Sequence, residues 1–175
     1  MLGSCGGTAQ PAHQPLAMTR PMTAQTRPST RYIAPKGKFQ TRYPSDWISH
    51  PGEDTLDLGP ANDNSGIRRE VSIDVPFIPP HLPGMITLDR IQKGYMDDLR
   101  KRYTDVKLIS SVDQPFPEAK ARLLEATARN AKIYTVLAMR HERVYIIASE
   151  TDIASAEAGK SVVQMILASW QWDNN

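Results

Sequence analysis

The chain has 175 residues, 40 % apolar and 23 % charged, enough for one domain with a real core. It holds no apolar run long enough for a membrane-spanning helix, and its single cysteine, Cys5, excludes an intrachain disulfide. The net charge of +2 is uneven: Arg20, Arg27, Arg31, Lys36 and Lys38 face no acid in residues 1–38, and the remaining 16 basic and 19 acidic residues leave the rest at −3, which excludes a basic nucleic-acid-binding surface there.

Residues 1–30 are rich in Pro, Thr, Gln, Ala and Ser and have almost no aliphatic periodicity. Such a stretch buries too little apolar surface to offset its ordering entropy, so a disordered tail or tether is expected, followed by one domain over 31–172. A plain linker is one reading. A transit peptide is another, since the stretch is acid-poor with scattered arginines, although its prolines break any amphipathic helix. A third is a lipoprotein: Leu2-Gly3-Ser4-Cys5 resembles a bacterial lipobox, which makes Cys5 a lipidation candidate and the polar tail its tether. No charged start or hydrophobic stretch precedes it, so this reading needs a start upstream of Met1 or a trimmed chain.

Phe39 to Tyr43 alternates as a strand, and Pro44-Ser-Asp-Trp47 turns the chain. A short strand is expected at 55–58 and a turn at Asn62-Asp-Asn-Ser-Gly66, whose residues accept positive φ. Residues 69–77 alternate, with Val71, Ile73, Val75 and Phe77 on one face and Pro76 implying a sheet edge. The loop that follows, through Ile78, His81 and Leu82, is stiffened by prolines. Stiffness lowers the cost of presenting side chains, so Phe77, Ile78, His81 and Leu82 are the partner-binding candidates; the competing reading is a connection packed on its own sheet. Thr87 caps a helix over 88–103 with Leu88, Ile91, Tyr95, Leu99 and Tyr103 on one stripe, and its basic end suits the helix dipole. A strand is expected at 106–112.

Glu118 to Ala131 has helix propensity yet also alternates, and Arg129-Asn130 can turn a hairpin. Lys132 to Met139 and Arg143 to Ser149 follow, joined through Arg140-His-Glu142, and both carry apolar residues on both faces. A sheet covered on two sides is the consequence. A terminal helix from about Asp152 or Ser155 supplies one cover, and Trp170 and Trp172 close the core.

No motif carries convincing catalysis. Ala154 to Ser161 fits a permissive phosphate-loop pattern, but Ala-Ser-Ala-Glu prefers helix and Glu157 repels phosphate. His13, His50, His81 and His141 show no helical metal spacing; His50 and His81 could ligate together only if folding joins them. Asp97 and Asp98 are helix neighbours and point about 100° apart. No metal and no cofactor is expected.

Phe39…Tyr43-Pro44-x-x-Trp47, Tyr95-x-Asp97-Asp98-Leu99-x-x-x-Tyr103, Ala119-x-Ala121, Arg143-Val-Tyr-Ile-Ile147 and Ile166-Leu-Ala-Ser-Trp-Gln-Trp172 together resemble the Mog1/PsbP-like superfamily, which includes DcrB-like extracytoplasmic bacterial proteins. The resemblance covers 31–172. It implies an α+β fold, an α/β/α sandwich with a mainly antiparallel sheet covered by helices, and it favours strand for 118–131. It also implies a binding or accessory module with an unknown protein partner, extracytoplasmic, touching a membrane only through a lipid anchor. The alternatives are a cytoplasmic chaperone of secreted effectors and an enzyme with a loop-built site.

Overall fold

The computed structural model describes residues 28–36, 38–61, 70–78 and 85–173. The elements are β1 (Ser29–Ile33), β2 (Phe39–Pro44), β3 (Trp47–Pro51), β4 (Thr55–Pro60), β5 (Val71–Asp74), α1 (Leu88–Arg102), β6 (Lys107–Asp113), β7 (Lys120–Ala128), β8 (Ala131–Arg140), β9 (Arg143–Asp152), α2 (Ala156–Ala168) and β10 (Gln171–Trp172). A seven-stranded sheet runs β3-β4-β5-β9-β8-β7-β6, and a second sheet runs β1-β2-β10. Every pairing is antiparallel.

The β8–β9 hairpin is the centre. Its strands pair from Ala131↔Asp152 to Arg140↔Arg143, and the turn places His141 and Glu142 at φ 45° and 65°. Both residues left-handed is the geometry of a two-residue turn whose twist matches the strands. Thr135, Val136, Leu137 and Ala138 are each 0 % exposed. Four consecutive buried residues on a strand require a cover on each face.

The two covers are α1 and α2. Leu124, Ala126, Ile133 and Leu137 pack under Tyr95, Met96 and Leu99 of α1. Val71, Ile73, Val136, Tyr145 and Ile147 pack under Val162, Val163 and Ile166 of α2. α2 also touches β2, where the Thr41 hydroxyl donates to the Ile166 carbonyl at 2.8 Å. The expected α+β sandwich is therefore present, with the small sheet packed against α2 and, through Phe39, on Tyr145 of β9. Phe39 stacks on Trp170 at 4.1 Å and Trp172 lies 5.3 Å from Trp170, which seals that end of the core. Thr87 caps α1 by accepting the Arg90 backbone N–H, as its position suggests.

Within the 118–131 stretch, Lys120–Ala128 is the strand β7, paired with β8 along its whole length, and Arg129-Asn130 makes the turn between them. Local helix propensity gives way because β7 finds ladder partners on both sides. Other expectations need correction. The alternation from Val71 does not reach Phe77: β5 ends at Asp74, and Phe77 is 83 % exposed. Nor does Pro76 mark a sheet edge, because β5 lies between β4 and β9 and Pro76 falls beyond its end. β1, β3 and β10 have no counterpart among the expected elements, and Ser29 and Thr30 of the expected tail belong to β1. The turn expected at 62–66 lies outside the described residues, as does the tail through residue 27. No helix among the described residues is long and apolar enough to cross a membrane.

Gly159 shows how closely α2 sits on β9. A Cβ there would lie 2.1 Å from Ser149 Oγ and 3.1 Å from the Thr151 methyl. Overpacking of this kind costs about 1–3 kcal/mol, and the better helix propensity of alanine returns up to about 1 kcal/mol. Gly159→Ala should therefore destabilise by about 1 kcal/mol in urea unfolding. The loss should shrink in a Ser149→Ala background; an equal loss in both backgrounds would show that this contact is not its cause.

Candidate functional site

α1 packs against β7 and β8 and leaves β5 open on its side of the sheet. The sequence of β5 anticipates this: Val71 and Ile73 turn into the α2-side core, while Ser72 and Asp74 point the other way. Two adjoining hollows of about 350 and 470 Å³ open there and share Glu70, Arg102, Tyr103 and Glu150. They form one cleft between α1 and the strands β5 and β9.

Glu150 is its centre. It follows Ile146-Ile-Ala-Ser149 on β9, and alternation turns its side chain toward α1. The Tyr95 hydroxyl lies 3.0 Å from Glu150 Oε1 and 2.8 Å from Thr135 Oγ1. The Tyr103 hydroxyl donates to Oε2 at 3.0 Å. Arg102 donates to both carboxylate oxygens, to Oε1 at 2.9 Å, and its Nε donates to Asp98 at 2.9 Å. Arg102, Tyr103 and Tyr95 all come from α1 or its C-cap, so helical spacing delivers three donors to one carboxylate. A half-buried carboxylate is tolerated because it is paired and hydrogen-bonded.

The electrostatics follow from these contacts. Hydrogen bonding to Glu150 raises the Arg102 pKa, which fixes its charge. Burial, helped by the Glu150 charge, pushes the Tyr95 phenol well above the tyrosine range. Tyr95 therefore remains a donor and is no general base at neutral pH. Along the open side, Glu70 stands opposite Glu150, where the Glu150 N–H donates to the Glu70 carbonyl at 3.3 Å. Ser72 donates to Asp74 at 3.1 Å. With Glu70, Asp74, Asp98, Glu150 and Asp152 against Arg102 and Arg129, carboxylates outnumber cations among the described residues that line the cleft. The arrangement presents fixed carboxylates to a cationic or donor-rich surface.

The sequence candidates fall in several places. Phe77 is exposed, three residues beyond Asp74, and Ile78 is half-buried. His81 and Leu82 lie outside the described residues, as do Cys5 and His13. His50 is exposed on β3 opposite Asp57, and His141 sits in the hairpin turn. Asp97 and Asp98 do diverge: Lys93 and Arg100 bond Asp97, whose carboxyl the Lys93 bond holds below the usual range, whereas Asp98 faces the cleft. The phosphate-loop pattern dissolves into packing. Gly159 is inside α2, Lys160 pairs with Glu125 at 3.0 Å, and Ser161 donates to the Glu157 carbonyl. Sequence reasoning missed Glu70, Ser72, Asp74, Arg102 and Glu150 as a group. The available signals were the polar half of the β5 alternation and a charge ending the apolar run of β9.

No family model matches the sequence, and no curated protein matches it. Solved structures do. The cyanobacterial PsbP (CyanoP) of Synechocystis sp. PCC 6803 superposes with a TM-score of 0.60 at 16 % identity, covering 98 % of each chain. The Ran-binding protein Mog1p of Saccharomyces cerevisiae superposes with a TM-score of 0.56 at 8 % identity, covering 85 % of this chain and 97 % of its own. This chain has the Mog1/PsbP-like fold.

The Tyr95 geometry makes a prediction for alkaline pH. Its folded pKa is raised above the ordinary value near 10, so the folded state holds a proton that the unfolded state releases. Its contribution to stability is intact below about pH 10 and is lost as pH rises beyond that. In an absorbance titration of tyrosinate, Tyr95 should ionise only with unfolding. Tyr95→Phe should remove one tyrosine from that cooperative step; an unchanged step would contradict the burial of this phenol. At neutral pH the same variant should lose about 1–3 kcal/mol, because Glu150 and Thr135 lose a buried partner.

Proposed function

We propose that this chain is a non-catalytic binding or accessory module that takes a protein partner on the α1 side of its sheet. The observation that carries the reading is Glu150, held by Tyr95, Tyr103 and Arg102 inside an acidic cleft. A carboxylate fixed before binding loses little freedom when a partner arrives. Yeast Mog1p, which shares the fold, is a Ran-binding protein, so the fold serves protein recognition in that case.

Phe77 completes the surface. It is a large apolar side chain, 83 % exposed, just past the Asp74 end of the cleft. Aromatic side chains of this kind anchor interfaces when a partner supplies a pocket. Ile78, His81 and Leu82 continue the same segment and form the rest of the proposed contact. The partner suited to this surface offers an apolar pocket beside basic side chains.

Photo-crosslinking tests the reading. p-Benzoylphenylalanine placed at positions 77 and 98 should give the same covalent adduct in the native cells. Placed at position 164, on the exposed side of α2, it should not. Adducts from position 164 alone would reject the α1-side surface.

The reading also places the module outside the cytoplasm, tethered through a lipidated Cys5. Its support is Leu2-Gly3-Ser4-Cys5 and the Pro-, Thr- and Gln-rich stretch behind it. Protein expressed from its own locus with the upstream DNA should carry an acylated Cys5 in the membrane fraction, read by mass spectrometry of the N-terminus. An unmodified soluble chain beginning at Met1 would overturn the anchor and favour a cytoplasmic chaperone.

A further inference from the structure

The α2 side of the sheet, opposite the acidic cleft, carries a separate hollow of about 370 Å³. Its floor is the cross-strand row Ser149–Tyr134–Glu125. α2 forms one wall with Ala156 and Lys160. The other wall is Ile109. The register between β6 and β7 shifts between Leu108 and Ser110, so Ile109 is the extra residue of a bulge and stands 62 % exposed.

The charges in and around this hollow are graded. Lys160 lies 3.0 Å from Glu125 and 4.9 Å from the centre of the Tyr134 ring, so the Glu125 charge is neutralised from the helix side. Glu157, also on the helix wall, disfavours an anion there. Toward the β7–β8 turn at Arg129-Asn130 the row Lys107–Thr127–Lys132 brings two lysines to the rim. Neither has a carboxylate partner among the described residues. The hollow thus has an apolar middle, a compensated helix side and a cationic end beside the β7–β8 turn. Its volume falls in the range of about 300–1,000 Å³ that small-molecule sites occupy.

We propose that this hollow binds a small amphipathic anion, with its apolar body between Ile109 and Tyr134 and its acidic group at Lys132 and Lys107. The site is independent of the protein-partner reading, since it uses the other face of the sheet and none of the same residues. Ser149 is 1 % exposed and its hydroxyl lies against Gly159, which gives the floor a fixed depth.

Anilinonaphthalene sulfonate is the test probe, with neutral phenylnaphthylamine as its uncharged counterpart. On the full chain the sulfonate should bind saturably at one site and shift the backbone amide resonances of Ile109, Lys132, Tyr134 and Lys160. Lys132→Glu should weaken the sulfonate about fivefold, the scale of one exposed charge pair, and leave the neutral probe unchanged. Ile109→Ser should weaken both probes. Both positions are exposed, so thermal melting should match the parent; Lys107→Glu replaces Lys132→Glu if the latter unfolds. Resonance shifts confined to the α1 side, no saturable binding, or equal weakening of both probes by the charge reversal would overturn the proposal.

Discussion

The β8–β9 hairpin is apolar on both faces, and the rest of the structure answers that fact. A strand with Thr135 to Ala138 wholly buried cannot lie at a surface. It needs ladder partners on both edges and a cover on both faces, because unpaired buried backbone groups cost about as much as lost hydrogen bonds. β7 and β9 flank that strand, β5 closes the far edge of the hairpin, and α1 and α2 supply the covers. The covers are unequal. α2 spans β8, β9 and β5 and reaches β2, whereas α1 sits on β7 and β8. What α1 leaves open becomes the acidic cleft.

Glu150 connects stability and recognition in that cleft. A carboxylate beside Ile146 and Ala148 is expensive to desolvate unless its oxygens are satisfied. Its donors come from the last turns of α1, so the contacts that hold the carboxylate also hold the helix on the sheet. The orientation of Arg102 is shared between Glu150 and Asp98, which sets the spacing of two acidic groups along the opening. Substitution of these residues disturbs the surface and the fold together, whereas Phe77 lies on the surface alone.

The α2 face is shaped by two local irregularities. Gly159 lets α2 press onto Ser149 and Thr151, and the bulge at Ile109 turns one apolar side chain out of the edge strand. The bulge also interrupts an edge that would otherwise offer a regular ladder with Leu108 and Val112 exposed. Bulged edges resist pairing with other chains, so this feature protects β6 while it builds a wall of the hollow.

Apolar patterning determined the class of this protein. The two-faced hairpin, the stripe of α1 and the closing Trp170 and Trp172 are written in residue spacing, and spacing dictates which faces must be buried. Local chemistry likewise marked the Thr87 cap, and the break between two apolar segments marked the turn at Arg140-His-Glu142. Tertiary structure decided what neighbouring residues in the chain cannot. Residues 120–128 became strand because β6 and β8 flank them, against their own propensity. Phe77 left the core because β5 stopped at Asp74. The cleft joins Glu70 and Ser72 to Arg102 and Glu150, residues far apart in sequence that meet only through sheet order and helix placement. Periodicity reports burial along one element, whereas a site is a coincidence of several elements in space, and only the folded arrangement fixes that.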